Sequence, residues 1–212
     1  MSNTAFEPTP AAEPSAKTTA SLRLARTVTE IFAPWVLITL LPIGVAWQAT
    51  GYRWWPALGW GVLVAATSAL IPQAVMTVGA ARGRWDGHHV RDRAGRLIPF
   101  IALIGSGAIG LVLLVTGGAP RAMTALDAGM LALVIVAGAI TTKWKISMHA
   151  AAGGGATVVL ALFYGPAWWL LGLVTAGIGW SRVRLGDHTT AQVVAGALAG
   201  ALIIGGGFAV LA

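Results

Sequence analysis

The chain has 212 residues, 57% of them hydrophobic and only 10% charged, with a mean hydropathy of +0.77. Soluble globular domains carry roughly 25% charge, so this composition excludes one and places the chain in a bilayer. Fourteen Lys and Arg against seven Asp and Glu leave a net charge of +7, and the absence of cysteine excludes disulfides and thiolate chemistry, leaving four histidines as candidate catalysts.

Residues 1–29 are rich in Pro, Ala, Ser and Thr, with Lys17, Arg23 and Arg26 near their end and no apolar run of the kind a signal peptide needs. They read as a disordered N-terminal tail ending in a short interfacial stretch, followed by a transmembrane domain over 30–212. A helix needs roughly 20 apolar residues to cross about 30 Å of hydrocarbon. Seven segments qualify: 31–49, 55–80, 97–116, 122–140, 147–164, 167–180 and 188–211. The expected fold is therefore all-α, a polytopic transmembrane helix bundle with six or seven membrane segments. Residues 149–180 as one helix would be roughly 48 Å long, so Gly165-Pro166 reads as a tight turn between two helices. Tyr52, Trp54, Trp55, Trp168 and Trp169 fit an interfacial aromatic belt. The glycines at 153–155, 196, 200 and 205–207 suit close helix packing.

With seven crossings, the even-numbered loops share the tail's face. Three cations lie in the tail, five in the second loop (Arg82, Arg84, Arg91, Arg93, Arg96), and two each in the fourth (Lys143, Lys145) and sixth (Arg182, Arg184). Arg53 and Arg121 alone lie on the other face. This asymmetry favours a cytoplasmic N-terminus in a multi-pass cell membrane protein. His88, His89, His149 and His188 all fall on the basic face.

Three clusters hold nearly every reactive group: residues 84–99 with Arg84, Arg93, Arg96 and Pro99; residues 143–149 with Lys145, Ser147 and His149; and residues 181–192 with Ser181, Arg182, Asp187, His188 and Gln192. Concentrating Arg, Lys, His and Ser on one membrane face suits an anion site. Ser181-Arg182-x5-His188 resembles the third signature of the type 2 phosphatidic acid phosphatase superfamily, Ser-Arg-x5-His-x3-Asp. Ser147-x-His149 is similar to the second, Pro-Ser-Gly-His, and Arg93-x2-Arg96-x2-Pro99 to a variant of the first. Gln192 stands where the family has Asp, and Ile146 and Met148 stand where it has Pro and Gly.

The resemblance implies a metal-independent lipid phosphate phosphatase, a phosphoric monoester hydrolase acting through a phosphohistidine. A lipid or polyprenyl phosphate, including a polyprenyl-linked phosphosugar, is the implied substrate, with membrane lipids around it and no cofactor, metal or nucleic acid. Arg93, Arg96 and Arg182 would clamp the phosphate, since guanidinium forks match its oxygens, with Ser147 and Lys145 as further donors. His188 would be the nucleophile at the start of the last helix. His149 would protonate the leaving oxygen and later activate water. Gln192, one turn after His188, would accept an imidazole N–H.

Other readings stay open. His88 and His89 with Asp86 and Asp92 suggest a metal site only weakly, because no ligand-spaced repeat follows. Asp187 reads as the N-cap of the last helix, and Asp127 as an acid reaching Arg121 or the interface. Arg82, Arg84, Arg91 and Arg184 also suit headgroup anchoring. Gln192 motivates a non-catalytic lipid-phosphate binding or transport protein as the alternative, and the lack of paired Asp-rich repeats ranks a magnesium-dependent prenyltransferase last.

Overall fold

The computed structural model describes residues 16–82 and 93–212, and side chains over 19–82 and 101–212. Among the described residues the fold is all-helical, with no strand. The elements are α1 (Ala16–Ile31), α2 (Pro34–Ala49), α3 (Trp54–Ala81), α4 (Arg93–Thr116), α5 (Arg121–Thr141), α6 (Met148–Tyr164), α7 (Leu171–Arg184) and α8 (Thr190–Leu211). Helices α3, α5 and α8 are long and apolar enough to cross a membrane, and α1 with α2 makes a fourth span if that pair, bent by 43°, is taken as one. Two further helices are apolar but shorter, Ile101–Thr116 within α4 and Met148–Tyr164. By length and composition three or four spans are shown among the described residues.

The expected tail is corrected in its second half. Ala16–Ile31 is a helix whose Ala25 and Thr29 are buried, and it packs on α7. The first apolar segment, expected to run unbroken from 31, starts instead at Pro34. The residue before a proline is pushed out of the helical region. Ala33 accordingly sits at φ −59°, ψ 145°, and Pro34 opens α2 at a position where its missing N–H costs nothing.

A proline also shapes α3. Pro72 has no N–H to offer the Ser68 carbonyl and its ring crowds that group, and the turn at Ala66–Leu70 widens to a π turn just before it. A second π turn, Ala201–Gly206, interrupts α8. Between α6 and α7 the expected break is present: Gly165 takes φ +110°, open to a residue without Cβ, and a 3₁₀ turn at Pro166–Leu170 leads into α7.

The core gathers around α5, whose Met123, Leu126, Met130 and Leu133 pack with Val45, Val64, Leu114, Val159, Ile204 and Phe208. Helices α6 and α8 run side by side through small residues. A Cβ on Gly196 would strike the Ser147 carbonyl, one on Gly200 the Ala151 carbonyl, and one on Gly154 the Ala197 carbonyl. The contacts advance in the same direction on both helices at Gly196 and Gly200, so both N-termini lie at one end of the bundle.

Candidate functional site at the shared end of α6, α7 and α8

The site begins with how α7 stops. Gly186 has φ +75°, a left-handed conformation that ends helices, and the two bonds of a Schellman cap form around it. The Gly186 N–H donates to Val183 O at 3.0 Å and the Asp187 N–H to Arg182 O at 3.1 Å. This reversal lays the next residues back on the last turn. His188 N–H also donates to Arg182 O at 3.3 Å, and Arg182 Nη2 pairs with Asp187 Oδ2 at 2.9 Å. The six-residue step from Arg182 to His188 is therefore the geometry of a glycine-capped helix end.

The start of α8 corrects one expectation. Thr189, not Asp187, is the N-cap: its Oγ1 accepts the Gln192 N–H at 3.3 Å, while Gln192 Oε1 accepts the Thr189 N–H at 3.1 Å. This reciprocal capping box satisfies two N–H groups that a helix start leaves without partners. Asp187 is free to pair with Arg182. Gln192 Oε1, expected to accept an imidazole N–H, accepts the cap N–H and also neighbours the His188 ring, where its hydrogen bond favours the charged imidazole.

Ser147 is likewise a helix cap. Its fully buried Oγ accepts the Ala150 N–H at 3.4 Å, and its own N–H donates to Gln192 O at 3.2 Å, tying the starts of α6 and α8 together. Two helix N-termini and the Arg182 guanidinium thus converge, a combination that favours an anion. Lys145 reaches in from the α5–α6 loop, Nζ donating to Asp187 O at 3.1 Å.

His149, His188 and Lys145 line one cavity of about 290 Å³, whose remaining wall includes Leu103 of α4 and Val134, Ala137, Gly138 and Thr141 of α5. Ser147, Arg182 and Gln192 stand behind it. His188 Nδ1 and Arg182 Nε are both buried without a hydrogen-bond partner among the described residues. Burial of Nδ1 disfavours it as the attacking atom. Burial, followed by the positive charges of Lys145 and Arg182, lowers the pKa of His188 below the ordinary histidine value, and Gln192 and Asp187 only partly oppose this. This favours the neutral ring, the form that can attack an electrophile.

Of the expected site residues, His149, His188, Lys145, Ser147, Arg182 and Gln192 come together at this end. Arg93 and Arg96 lie in the first turn of α4, but their side chains are outside the described residues. Arg84, His88, His89 and Arg91 also lie outside them. Asp187 was missed as a site residue, although its place beside His188 and five residues after Arg182 was a usable signal. Asp127 does not reach Arg121 or the interface; it is fully buried, and Ser68 Oγ donates to its Oδ1 at 2.8 Å. Compared with protein-family models, curated proteins and solved structures, the chain matches none.

Proposed function

We propose that the protein is a multi-pass membrane lipid phosphate phosphatase resembling the type 2 phosphatidic acid phosphatases, with six or seven membrane segments and a cytoplasmic N-terminus. The observation that carries this reading is the pair of histidines and the lysine on one cavity, with the Arg182 guanidinium behind it. A phosphomonoester needs its oxygens neutralised, a nucleophile in line and a proton for the leaving alcohol. Lys145 and Arg182 supply positive charge, and Arg93 and Arg96 at the start of α4 would complete the clamp. His188 Nε2 attacks phosphorus as the bond to the lipid oxygen breaks and His149 gives that oxygen a proton. Water activated by His149 then cleaves the phosphorus–nitrogen bond and restores His188.

A second, largely apolar cavity of about 360 Å³ shares Leu103 and Met148 with the first and is walled by Pro34, Trp35 and Ile38 of α2 and Pro72 and Met76 of α3. Phosphate at the histidines and hydrocarbon in this neighbouring space suit an amphiphilic substrate, and a polyprenyl-linked phosphosugar is one member of that class. Phosphate release from a panel of lipid phosphates tests the reading. Wild-type protein is expected to release phosphate and His188→Ala to release none. Full activity in that variant would overturn it.

A second reading is favoured by one observation: among the described residues no carboxylate accepts from His188 Nδ1. A protein that holds or moves a lipid phosphate without turnover needs no such acceptor. Gln192→Asp discriminates, since an enzyme gains or keeps activity with the carboxylate, whereas a carrier is inactive with either residue.

A further inference from the structure

Helix α1 presents three distinct faces. On the first, Ala25 and Thr29 are buried. Ser181 donates its hydroxyl to Ile178 O at 2.7 Å, so the Thr29 hydroxyl is the donor in its 3.0 Å bond to Ser181 Oγ. Nearer the start of α1, Arg184 Nε donates to Ser21 Oγ at 2.9 Å. The second face is an apolar stripe at helical spacing, with Leu24 57% and Ile31 56% exposed. The third carries Arg23 and Arg26, both exposed. Among the described residues neither pairs with a carboxylate, the exposed Glu30 included.

The exposed tryptophans say where this helix sits. Trp35 at the start of α2, Trp144 before α6 and Trp180 near the end of α7 are all exposed at the basic end of the bundle, as an interfacial belt requires. Thr29 touches the residue next to Trp180. Arg26 and Arg23, three and six residues earlier, stand about 4.5 and 9 Å further along the helix. That is the depth of the headgroup layer, which adds roughly 5–8 Å on each side of the hydrocarbon.

We propose that α1 is a docking helix for an anionic lipid surface, with Arg23 and Arg26 pairing with headgroup phosphates while Ile31, on the deeper side of Thr29, enters the upper acyl layer. An apolar stripe flanked by unpaired cations is the composition that seats a helix in this layer. The buried face fixes α1 to the last turn of α7. The inference is independent of whether the bundle hydrolyses anything.

The cysteine-free chain allows a clean test in the full-length protein. Thr27→Cys, on the exposed stripe, is labelled with a polarity-sensitive dye and the protein is placed in nanodiscs of phosphatidylcholine alone or mixed with phosphatidylglycerol. The dye is expected to be roughly tenfold less accessible to acrylamide with the anionic lipid, and added salt should erase the difference. Arg23→Gln with Arg26→Gln should remove the lipid dependence while leaving the melting temperature unchanged. Equal exposure in both discs overturns the proposal, as does a lipid dependence that survives the double substitution. Protection that instead rises with protein concentration in detergent assigns the stripe to a second copy and also overturns it.

Discussion

Asp187 holds the His188 loop through three separate groups. Its carboxylate pairs with Arg182, its carbonyl accepts from Lys145, and its N–H closes the cap on Arg182 O. Only the first is lost in Asp187→Asn. With the carboxyl 39% and the guanidinium 14% exposed, global stability should fall by no more than about 1 kcal/mol. Turnover should fall more, roughly tenfold or beyond, because Arg182 loses the group that orients it. Kinetics on a soluble short-chain lipid phosphate, read beside a thermal melt, separates the two effects. A second residue-scale prediction concerns pH. Lys145 disfavours the charged form of His188, so removing it in Lys145→Met raises the pKa of that histidine. The proposed attack requires the neutral ring, so activity is expected to be lost as pH falls through its pKa. The acid limb of the rate profile should therefore move to higher pH in the variant; a limb that stays in place or moves to lower pH contradicts the assignment.

At the scale of elements, the site depends on the parallel contact of α6 and α8, where glycine allows backbone to meet backbone. Gly200→Val would drive a side chain into the Ala151 carbonyl. Overpacking of this kind costs about 1–3 kcal/mol or more, and a clear drop in melting temperature is expected, whereas Gly206→Ala, with open space around it, should be mild. The tie between α3 and α5 is as specific. Ser68→Ala removes the hydroxyl donor to a fully buried carboxylate and should cost about 1–3 kcal/mol, visible in the same melt. Much of this level was legible in the sequence. Apolar length located the helices, and Gly165-Pro166 marked a turn that φ +110° makes explicit. Helix α1 escaped because its polar composition hides an amphipathic face that needs α7 to bury it. The cap of α8 was misplaced by two residues because Asp187, Thr189 and Thr190 are all capable of capping, and only the pull of Arg182 on Asp187 decides among them.

For the whole molecule, the sequence pattern of cations becomes a physical arrangement: Lys145, Arg182, His149 and His188 occupy one end, with Trp35, Trp144 and Trp180 exposed around it. The opposite end exposes Tyr52, Trp54, Trp55, Trp168 and Trp169. Two aromatic belts fit a bundle that spans a bilayer. Arg184→Cys, in a chain without native cysteine, is expected to react with a membrane-impermeant maleimide only after the cytoplasmic side is opened; labelling of intact cells would reverse the proposed orientation. The order of the site along the chain was readable because Ser-Arg-x5-His is local, spanning one helix end. Its assembly was not, because the meeting of His149 with His188 depends on glycine contacts between helices about forty residues apart in sequence, and which groups are spent on caps is settled only when the helices form.

In the proposed reaction His188 carries the phosphoryl group. Rapid acid-free quenching of the protein with a phosphorus-labelled lipid phosphate, followed by peptide mapping, tests it directly. An acid-labile, alkali-stable phosphoramidate is expected on the peptide containing His188, absent in His188→Ala and longer-lived when His149→Ala slows its hydrolysis. Phosphate release with no label on that peptide, or a label that persists in His188→Ala, would contradict it.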